Sequence, residues 1–455
     1  MYARIKRIHF IGIGGTGMCG IAEVLINMGY SVSGSDLRDS EVTNRLSLLG
    51  ANIFLGHTKQ NVAGAHVVVV SSAIGSDNPE LLGARELKIP SIPRAEMLAE
   101  LMRMKYGVAV AGAHGKTTTT SLVAEVLAKG GLDPTIVVGG RLRAIGTNAR
   151  LGTGEFLVAE ADESDGSFLK LSPTIAVVTN IDAEHLDHYS GIDEIKDTFV
   201  QFVNRVPFYG AVVACLDDAN VQSILPRIEK RVLTYGIRTG ADLLAKELRL
   251  NGERCGFQVW MADKLLGEVD LKLPGLHNIL NSLAAVSVGL ELGVDFERVK
   301  EALGEFQGVS RRLEVRGRQK GILVIDDYGH HPTEIAAVLD TIRRTMNKRI
   351  VVAFQPHRYT RTKALRESFG VCFSQADFVF VTPIYAAGEE PIPGVSSELI
   401  VNSVKKTGQK GIELVASLEE LTKSLLKFLE DGDVLVTLGA GDIWKTGDEV
   451  LKGLA

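Results

Sequence analysis

Two glycine-rich turns and two acidic strand ends carry the residue types that could do chemistry. VAVAGAHGKTTTT, residues 108–120, joins an apolar run to a short glycine turn, a lysine and four threonines. Backbone amides at a helix start, a lysine ammonium and a threonine hydroxyl suit the oxygens of a triphosphate and its metal ion. The strict G-x-x-x-x-G-K-[ST] pattern fails, because Val110 stands five residues before Gly115; a shorter G-x-x-G-K-T remains. Lys116 would reach the β- and γ-phosphates, and Thr117 would place its hydroxyl on Mg²⁺. The competing reading is a plain strand–helix turn with a surface lysine. The strand before it and the threonines after it favour a nucleotide.

HFIGIGGTGM, residues 9–18, spaces Gly12, Gly14 and Gly17 as G-x-G-x-x-G after another apolar run, and Asp36 follows Gly17 by nineteen residues. That pattern alone would indicate NAD, with Asp36 on the ribose. The acidic stretches are EFLVAEADESD, with Glu160, Asp162, Glu163 and Asp165, and TIAVVTNIDAEHLDH, with Asp182, Glu184, His185 and Asp187. Solvated polar loops would look similar. Two of them downstream of a phosphate-binding lysine suit a divalent ion: oxygen ligands suit Mg²⁺, and an imidazole such as His185 also admits Mn²⁺. FQPHRYTRT, residues 354–362, sets His357, Arg358 and Arg361 just after a strand, where guanidinium forks could take a carboxylate.

These groups need strand ends and helix starts to hold them. IKRIHFIGI, SVSGSD, ANIF and HVVVVSSA read as strands separated by helical patterns, and AEMLAELMRM closes that segment as a helix. GVAVAG, EFLVAE, TIAVVTN and AVVACL form a second strand set, residues 232–273 read as an antiparallel extension, and HNILNSLAAVSVGLELG as a long helix. ILVIDDY, RIVVAFQ, ADFVFVTP and DVLVTLGA supply a third. The expectation is an α/β chain of three domains: a Rossmann-like domain at 1–106, a central P-loop ATPase-like domain with a mainly parallel sheet at 107–311, and a Rossmann-like domain at 312–455. The length of 455 residues agrees, at roughly 150 residues per domain. The net charge of −5, without a basic stripe, argues against nucleic acid. Cys19, Cys215, Cys255 and Cys372 lack C-x-x-C pairing, which suits a reducing cytosol rather than zinc or disulfides. No apolar run approaches the ~18 residues of a membrane span, and no signal peptide is read at the N-terminus.

With GIGGTGM (12–18), AHGKTTTT (113–120), AEADESDGSF (159–168), TNIDAEHLDHY (179–189), PGLHNILN (274–281), DDYGHHPTE (326–334) and FQPHRYTRT in this order, the chain resembles the Mur ligase family, the ATP-dependent amino-acid ligases of peptidoglycan synthesis. The resemblance implies that the first turn (Gly12, Gly14, Gly15 and Gly17, with Ser71) holds the diphosphate of UDP-N-acetylmuramate instead of NAD. It gives the ATP site to Gly112, Ala113, His114, Gly115, Lys116, Thr117 and Thr118, with His277, Asn278 and Asn281 on the long helix and Arg312 and Asp327 from the third domain, which is expected to close. It implies metal binding by Thr117, Glu160 and His185, and catalysis by Lys116, Glu160, His185 and Arg358. Asn278 could instead be a helix cap. Tyr328, His330, His357, Arg358 and Arg361 are expected at the amino-acid end, and the last two motifs are similar to those of the member that adds L-alanine. The alternative is the murein peptide ligase, which joins a tripeptide to the same sugar nucleotide. Folylpolyglutamate synthase needs no GIGGTGM domain, a nucleotide switch needs no arginine cluster, and a NAD oxidoreductase needs no GKTTTT loop. The family usually has Thr or Ser at Ala113 and Ser at Cys19. A monomer or homodimer in the cytosol is expected.

Overall fold

The computed structural model describes residues 5–71, 73–139, 147–185, 188–238, 240–252 and 254–455. Apolar strands alternate with helices and build three sheets. The first contains β1 (Arg7–Ile11), β2 (Ser31–Asp36), β3 (Asn52–Leu55), β4 (Val67–Val70) and β5 (Ser91–Pro93), in the order β3-β2-β1-β4-β5. All of its pairings are parallel. The strand order reverses between β1 and β4, and the Gly12–Gly17 turn leaves β1 at that crevice.

The second sheet contains β6 (Tyr106–Ala111), β7 (Thr135–Val137), β8 (Ala149–Arg150), β9 (Phe156–Glu160), β10 (Ile175–Val178), β11 (Ala211–Cys215), β12 (Val232–Gly236), β13 (Leu243–Asn251), β14 (Arg254–Met261) and β15 (Lys264–Leu271). Its order is β15-β14-β13-β12-β11-β10-β6-β9-β7-β8. β6 lies between β10 and β9 and is parallel to both. The Gly112–Lys116 turn therefore leaves the sheet flanked by the two acidic strand ends. The region expected to be antiparallel begins otherwise: β12 runs parallel to β11, and β13 starts parallel to β12. The helical crossover Ala219–Ile224 between β11 and β12 gives the chain room to return in the same direction.

The third sheet contains β16 (Glu314–Gln319), β17 (Ile322–Asp327), β18 (Ile350–Phe354), β19 (Phe378–Val381), β20 (Ile412–Leu414) and β21 (Val434–Leu438), in the order β16-β17-β21-β18-β19-β20. Only the edge strand β16 pairs antiparallel. Two compact units result: Met1–Glu247 with Phe257–Asp270 and Ile279–Gln307, and Leu248–Gly256 with Leu271–Asn278 and Gly308–Ala455. The first unit holds the first sheet and most of the second. Among the described residues no helix is long and apolar enough to cross a membrane. All four cysteines are buried.

Parallel strands covered by helices on both faces read as near-continuous apolar runs. In the first unit, Phe168 stacks on Phe202 at 4.7 Å and meets Phe199 edge-on at 5.3 Å. In the second unit, Phe354 ends β18 fully buried, between Phe369 at 5.6 Å and Phe373 at 5.2 Å. The residues after Phe354 carry the HRYTR motif, so this packing fixes where that loop starts. Phe354→Ala should cost about 3–5 kcal/mol of stability, as for other buried aromatic truncations. Urea unfolding monitored by circular dichroism checks this, and a change below about 1 kcal/mol would contradict the packing role.

Candidate active site

The turn after β6 is held from the neighbouring strand end. His114 N–H donates to Asn180 Oδ1 at 2.8 Å, and the His114 carbonyl accepts from Thr179 Oγ1 at 2.7 Å and Asn180 Nδ2 at 2.9 Å. A Cβ at Gly112, where φ is +141°, would lie 2.1 Å from Thr179 Oγ1. Only glycine lets the turn pass so close to β10. The helix Lys116–Lys129 starts immediately after Gly115. Lys116 Nζ donates to the Gly112 carbonyl at 2.6 Å, to the Ala113 carbonyl at 3.2 Å and to Glu163 Oε1 at 2.7 Å. Burial alone would lower the Lys116 pKa, but the charges of Glu163, Asp162 and Glu184 outweigh it and raise the pKa, so the ammonium stays protonated.

Glu163, Glu184 and His185 each offer a ligand atom, all within 4.8 Å of one another. Glu163 is 3% exposed, and its Oε2 is buried without a hydrogen-bond partner. His185 sits at φ +55°, a strained conformation for a histidine and one that clusters at functional sites. Two carboxylates and one imidazole with an unsatisfied buried oxygen fit a divalent ion. Glu160 takes another position: its Oε1 accepts from Gly139 N–H at 2.8 Å. Thr117 is half-buried on the first helical turn. Thr118 is buried beside it. Asp187 lies outside the described residues. His114 bridges the second acidic end, with Nε2 3.1 Å from Asp182 and Nδ1 3.5 Å from Glu184. Asn281 reaches this turn from the long helix Leu276–Glu291; its Oδ1 accepts from Thr119 Oγ1 at 3.1 Å and packs against Gly115.

At the first turn, Gly12 N–H donates to the Ser35 carbonyl, Gly14 N–H to Asp36 Oδ2 at 2.9 Å, and Gly15 N–H to the Gly12 carbonyl. Asp36 thus clamps the turn itself. Gly15 precedes the helix Thr16–Asn27, which has no side-chain cap. Ser71 packs against Gly12: a Cβ there would lie 3.3 Å from that of Ser71.

In the second unit, Tyr328, His330, His357 and Arg361 come together. His330 packs edge-on to Tyr328 at 5.5 Å and tilts against His357 at 5.4 Å. Arg361 Nη1 lies 3.1 Å from His357 Nδ1. Arg358 is exposed and has φ +71°, with its N–H held by the Tyr385 carbonyl at 2.9 Å. Sequence reasoning missed Tyr385, which stacks on His357 at 5.8 Å. It follows β19, the parallel neighbour of β18, and that adjacency was the available signal. Asp327 accepts Leu313 N–H and Gly329 N–H, each at 2.7 Å, so it also braces the entry to the third sheet. Arg312 Nη1 lies 3.3 Å from Glu334 and its guanidinium 5.4 Å from the Tyr328 ring. Asn278 Nδ2 donates to the Pro274 carbonyl at 2.8 Å, a local helix-start contact. His277 precedes it on the first turn of the same helix.

A parallel sheet with a lysine-bearing turn facing a carboxylate–imidazole cluster defines a phosphate-loop α/β protein. Three family models match it in order: the Mur ligase family catalytic domain over residues 7–106, the Mur ligase middle domain over 110–289 and the Mur ligase glutamate ligase domain over 311–441. The chain belongs to the Mur ligase family. It is 57% identical over 454 residues to a UDP-N-acetylmuramate–L-alanine ligase of Geotalea uraniireducens, covering 100% of this chain and 99% of the relative. A solved UDP-N-acetylmuramate–alanine ligase from Thermotoga maritima is 31% identical, with a TM-score of 0.83 and 98% of both chains covered. A murein peptide ligase from Psychrobacter arcticus shares the fold at 24% identity and a TM-score of 0.75, over 99% of this chain and 98% of its own.

Burial lowers His277 and His357 to about 4 and His330 to about 3, from an ordinary 6.5; Arg312 adds to the effect at His277 and Arg361 at His357. The unfolded chain takes up these protons near pH 6.5, whereas the folded chain resists until about pH 4 or below. Their stabilisation is therefore complete above about pH 6.5 and lost as the pH falls toward 4. Imidazole NMR signals of His330 and His357 should stay at their neutral positions from pH 8 down to pH 5. A midpoint near 6.5 for either would contradict this packing.

Proposed function

We propose that this chain joins L-alanine to the lactyl carboxylate of UDP-N-acetylmuramate with ATP, making a peptidoglycan precursor in the cytosol. The observation that carries the reading is the protonated Lys116 on its glycine turn, facing Glu163, Glu184 and His185. A carboxylate is a poor acyl donor because its leaving group would be oxide. Transfer of the γ-phosphoryl group to it gives an acyl phosphate. The alanine amine then attacks the acyl carbon, the tetrahedral intermediate collapses, and inorganic phosphate leaves. Both steps gather negative charge on oxygen, which fixed cations stabilise.

Gly112, Ala113, His114, Gly115, Lys116, Thr117 and Thr118 form the phosphate turn in this reading, and Lys116 neutralises the β- and γ-phosphates. Asn281 braces the turn, while His277, Asn278, Arg312 and Asp327 serve the rest of the nucleotide. Thr117, Glu160 and His185 would hold Mg²⁺ (Mn²⁺ also fits), with Glu163 and Glu184 beside them. When bound, that cation would supply neutralisation of the phosphate charge. Gly12, Gly14, Gly15, Gly17 and Ser71 take the sugar-nucleotide diphosphate. Functionally we divide the chain at 1–106, 107–311 and 312–455. The 57% identity to an alanine ligase over the full chain favours alanine over the tripeptide of a murein peptide ligase.

The test is phosphate release with ATP, Mg²⁺ and UDP-N-acetylmuramate while candidate acceptors are added singly. L-Alanine should give the highest kcat/KM. Preference for a tripeptide would transfer the chain to the murein peptide ligases, and no release with any acceptor would remove the ligase reading.

Arg358 and Arg361, with Tyr328, His330 and His357, are assigned to the amino-acid end. Alanine offers little besides its carboxylate, and loss of a charged hydrogen bond costs ~1.5–3 kcal/mol, or about tenfold and more in binding. Arg358→Ala and Arg361→Ala should each raise the KM for alanine at least about tenfold and leave UDP-N-acetylmuramate binding nearly unchanged. A fall in kcat with the alanine KM unaltered in both variants would place them at the phosphates instead.

A further inference from the structure

Arg94 opens the helix Arg94–Met102 directly after β5 and has no part in the assignments above. Its side chain lies flat on the first glycine turn. A Cβ at Gly17 would sit 2.6 Å from Arg94 Nη1 and 2.9 Å from its Cδ and Cζ. A side chain at the third glycine of the motif would therefore displace the arginine. Arg94 Nη2 holds Asp162 Oδ2 at 3.1 Å, and neither side chain is sealed from solvent, at 27% and 41% exposure. Asp162 stands two residues after Glu160 and immediately before Glu163, the partner of Lys116.

The placement is electrostatically unusual. The start of the helix Thr16–Asn27 carries the positive end of its dipole, with no side-chain cap and no acidic residue in its first turn. A guanidinium laid there adds like charge to like. Asp162 offsets one edge of the fork, and a second anion reaching both the fork and the helix amides would complete the neutralisation. A diphosphate suits that role, because its oxygens accept from backbone amides and from a planar guanidinium together.

We propose that Arg94 is a binding residue for the diphosphate of the sugar nucleotide, and that Asp162 positions its guanidinium over the glycine turn. This rests on the assignment of that turn to UDP-N-acetylmuramate. One arginine then joins the sugar-nucleotide turn to the acidic strand end that faces the ATP lysine.

Calorimetry on the full chain tests it, titrating UDP-N-acetylmuramate, UDP and a non-hydrolysable ATP analogue. Arg94→Gln should weaken both UDP-N-acetylmuramate and UDP at least about tenfold and change the ATP analogue by less than about twofold. Asp162→Asn, which leaves the arginine in place but loosens its tether, should weaken UDP binding by less than Arg94→Gln does. Arg94→Lys retains charge without the fork and should fall between wild type and Arg94→Gln. If Arg94→Gln lowers the melting temperature more than Asp162→Asn does, Arg94→Lys decides, with a several-fold loss on UDP expected. Unchanged UDP binding in Arg94→Gln or Arg94→Lys would overturn the proposal. Equal losses in Arg94→Gln and Asp162→Asn would also overturn it, by reducing the pair to a structural brace. A loss for UDP-N-acetylmuramate but not UDP would move the contact to the lactyl carboxylate and overturn the diphosphate assignment. Wild-type protein that binds the ATP analogue but neither uridine nucleotide would instead remove the reading of the turn itself.

Discussion

The half-buried ammonium of Lys116 sets the terms for everything around it. A charge with little access to water needs partners, and Lys116 has two carbonyls of its own turn and one carboxylate at 2.7 Å. Its turn must approach β10 closely enough to be fixed by Thr179 and Asn180, which only glycine at 112 permits. Its carboxylate partner must arrive from the other neighbouring strand, β9. The position of β6 between β9 and β10 is therefore an electrostatic requirement as well as a topological one. Triphosphate oxygens would compete with Glu163 for the same ammonium, and a cation in the Glu163–Glu184–His185 cluster would take up the carboxylate they displace.

The parallel sheets bring these partners together from distant parts of the sequence. Residues at the carboxyl ends of adjacent parallel strands are near in space however far apart they lie in the chain. Glu163 is 47 residues from Lys116, and Asn180 is 66 residues from His114. The same rule operates in the second unit, where His357 after β18 and Tyr385 after β19 stack across neighbouring strand ends. At these places His185 and Arg358 both hold positive φ without being glycine. The buried Phe354 at the end of β18 supplies rigidity just before Arg358.

Much of this was legible in the sequence, because the strongest signals are local. Apolar runs marked β1, β6, β9, β10, β17 and β18, with glycine following β1 and β6 and acid closing β9 and β17. The short strands Ser91–Pro93 and Ile412–Leu414 were not found, since three residues give no measurable alternation. The parallel entry into 232–273 was hidden because parallel and antiparallel strands share the same side-chain period. At the site, residue types were readable but pairings were not. Nothing in EADESD states that Glu163 faces the lysine while Glu160 turns toward Gly139, as one residue's difference in a strand-end loop redirects a side chain. Tyr385 and Arg94 lack a motif because their significance lies in what they touch.

The first glycine turn shows why a motif underdetermines its ligand. G-x-G-x-x-G with an acid nineteen residues on fits a dinucleotide site by spacing. In the folded chain that acid, Asp36, has Oδ2 committed to Gly14 N–H and Oδ1 to Leu37 N–H. An aspartate whose two oxygens both brace the backbone is less free to bind a ribose, and its negative charge instead stiffens a turn that presents amides. The third glycine is likewise explained by contact, since Arg94 occupies the space a side chain would need. What the spacing encodes is a tight strand-to-helix turn with exposed amides at its start. The ligand is then selected by charges that come from elsewhere in the fold, and here one such charge is a guanidinium tied by Asp162 to the acidic end of β9.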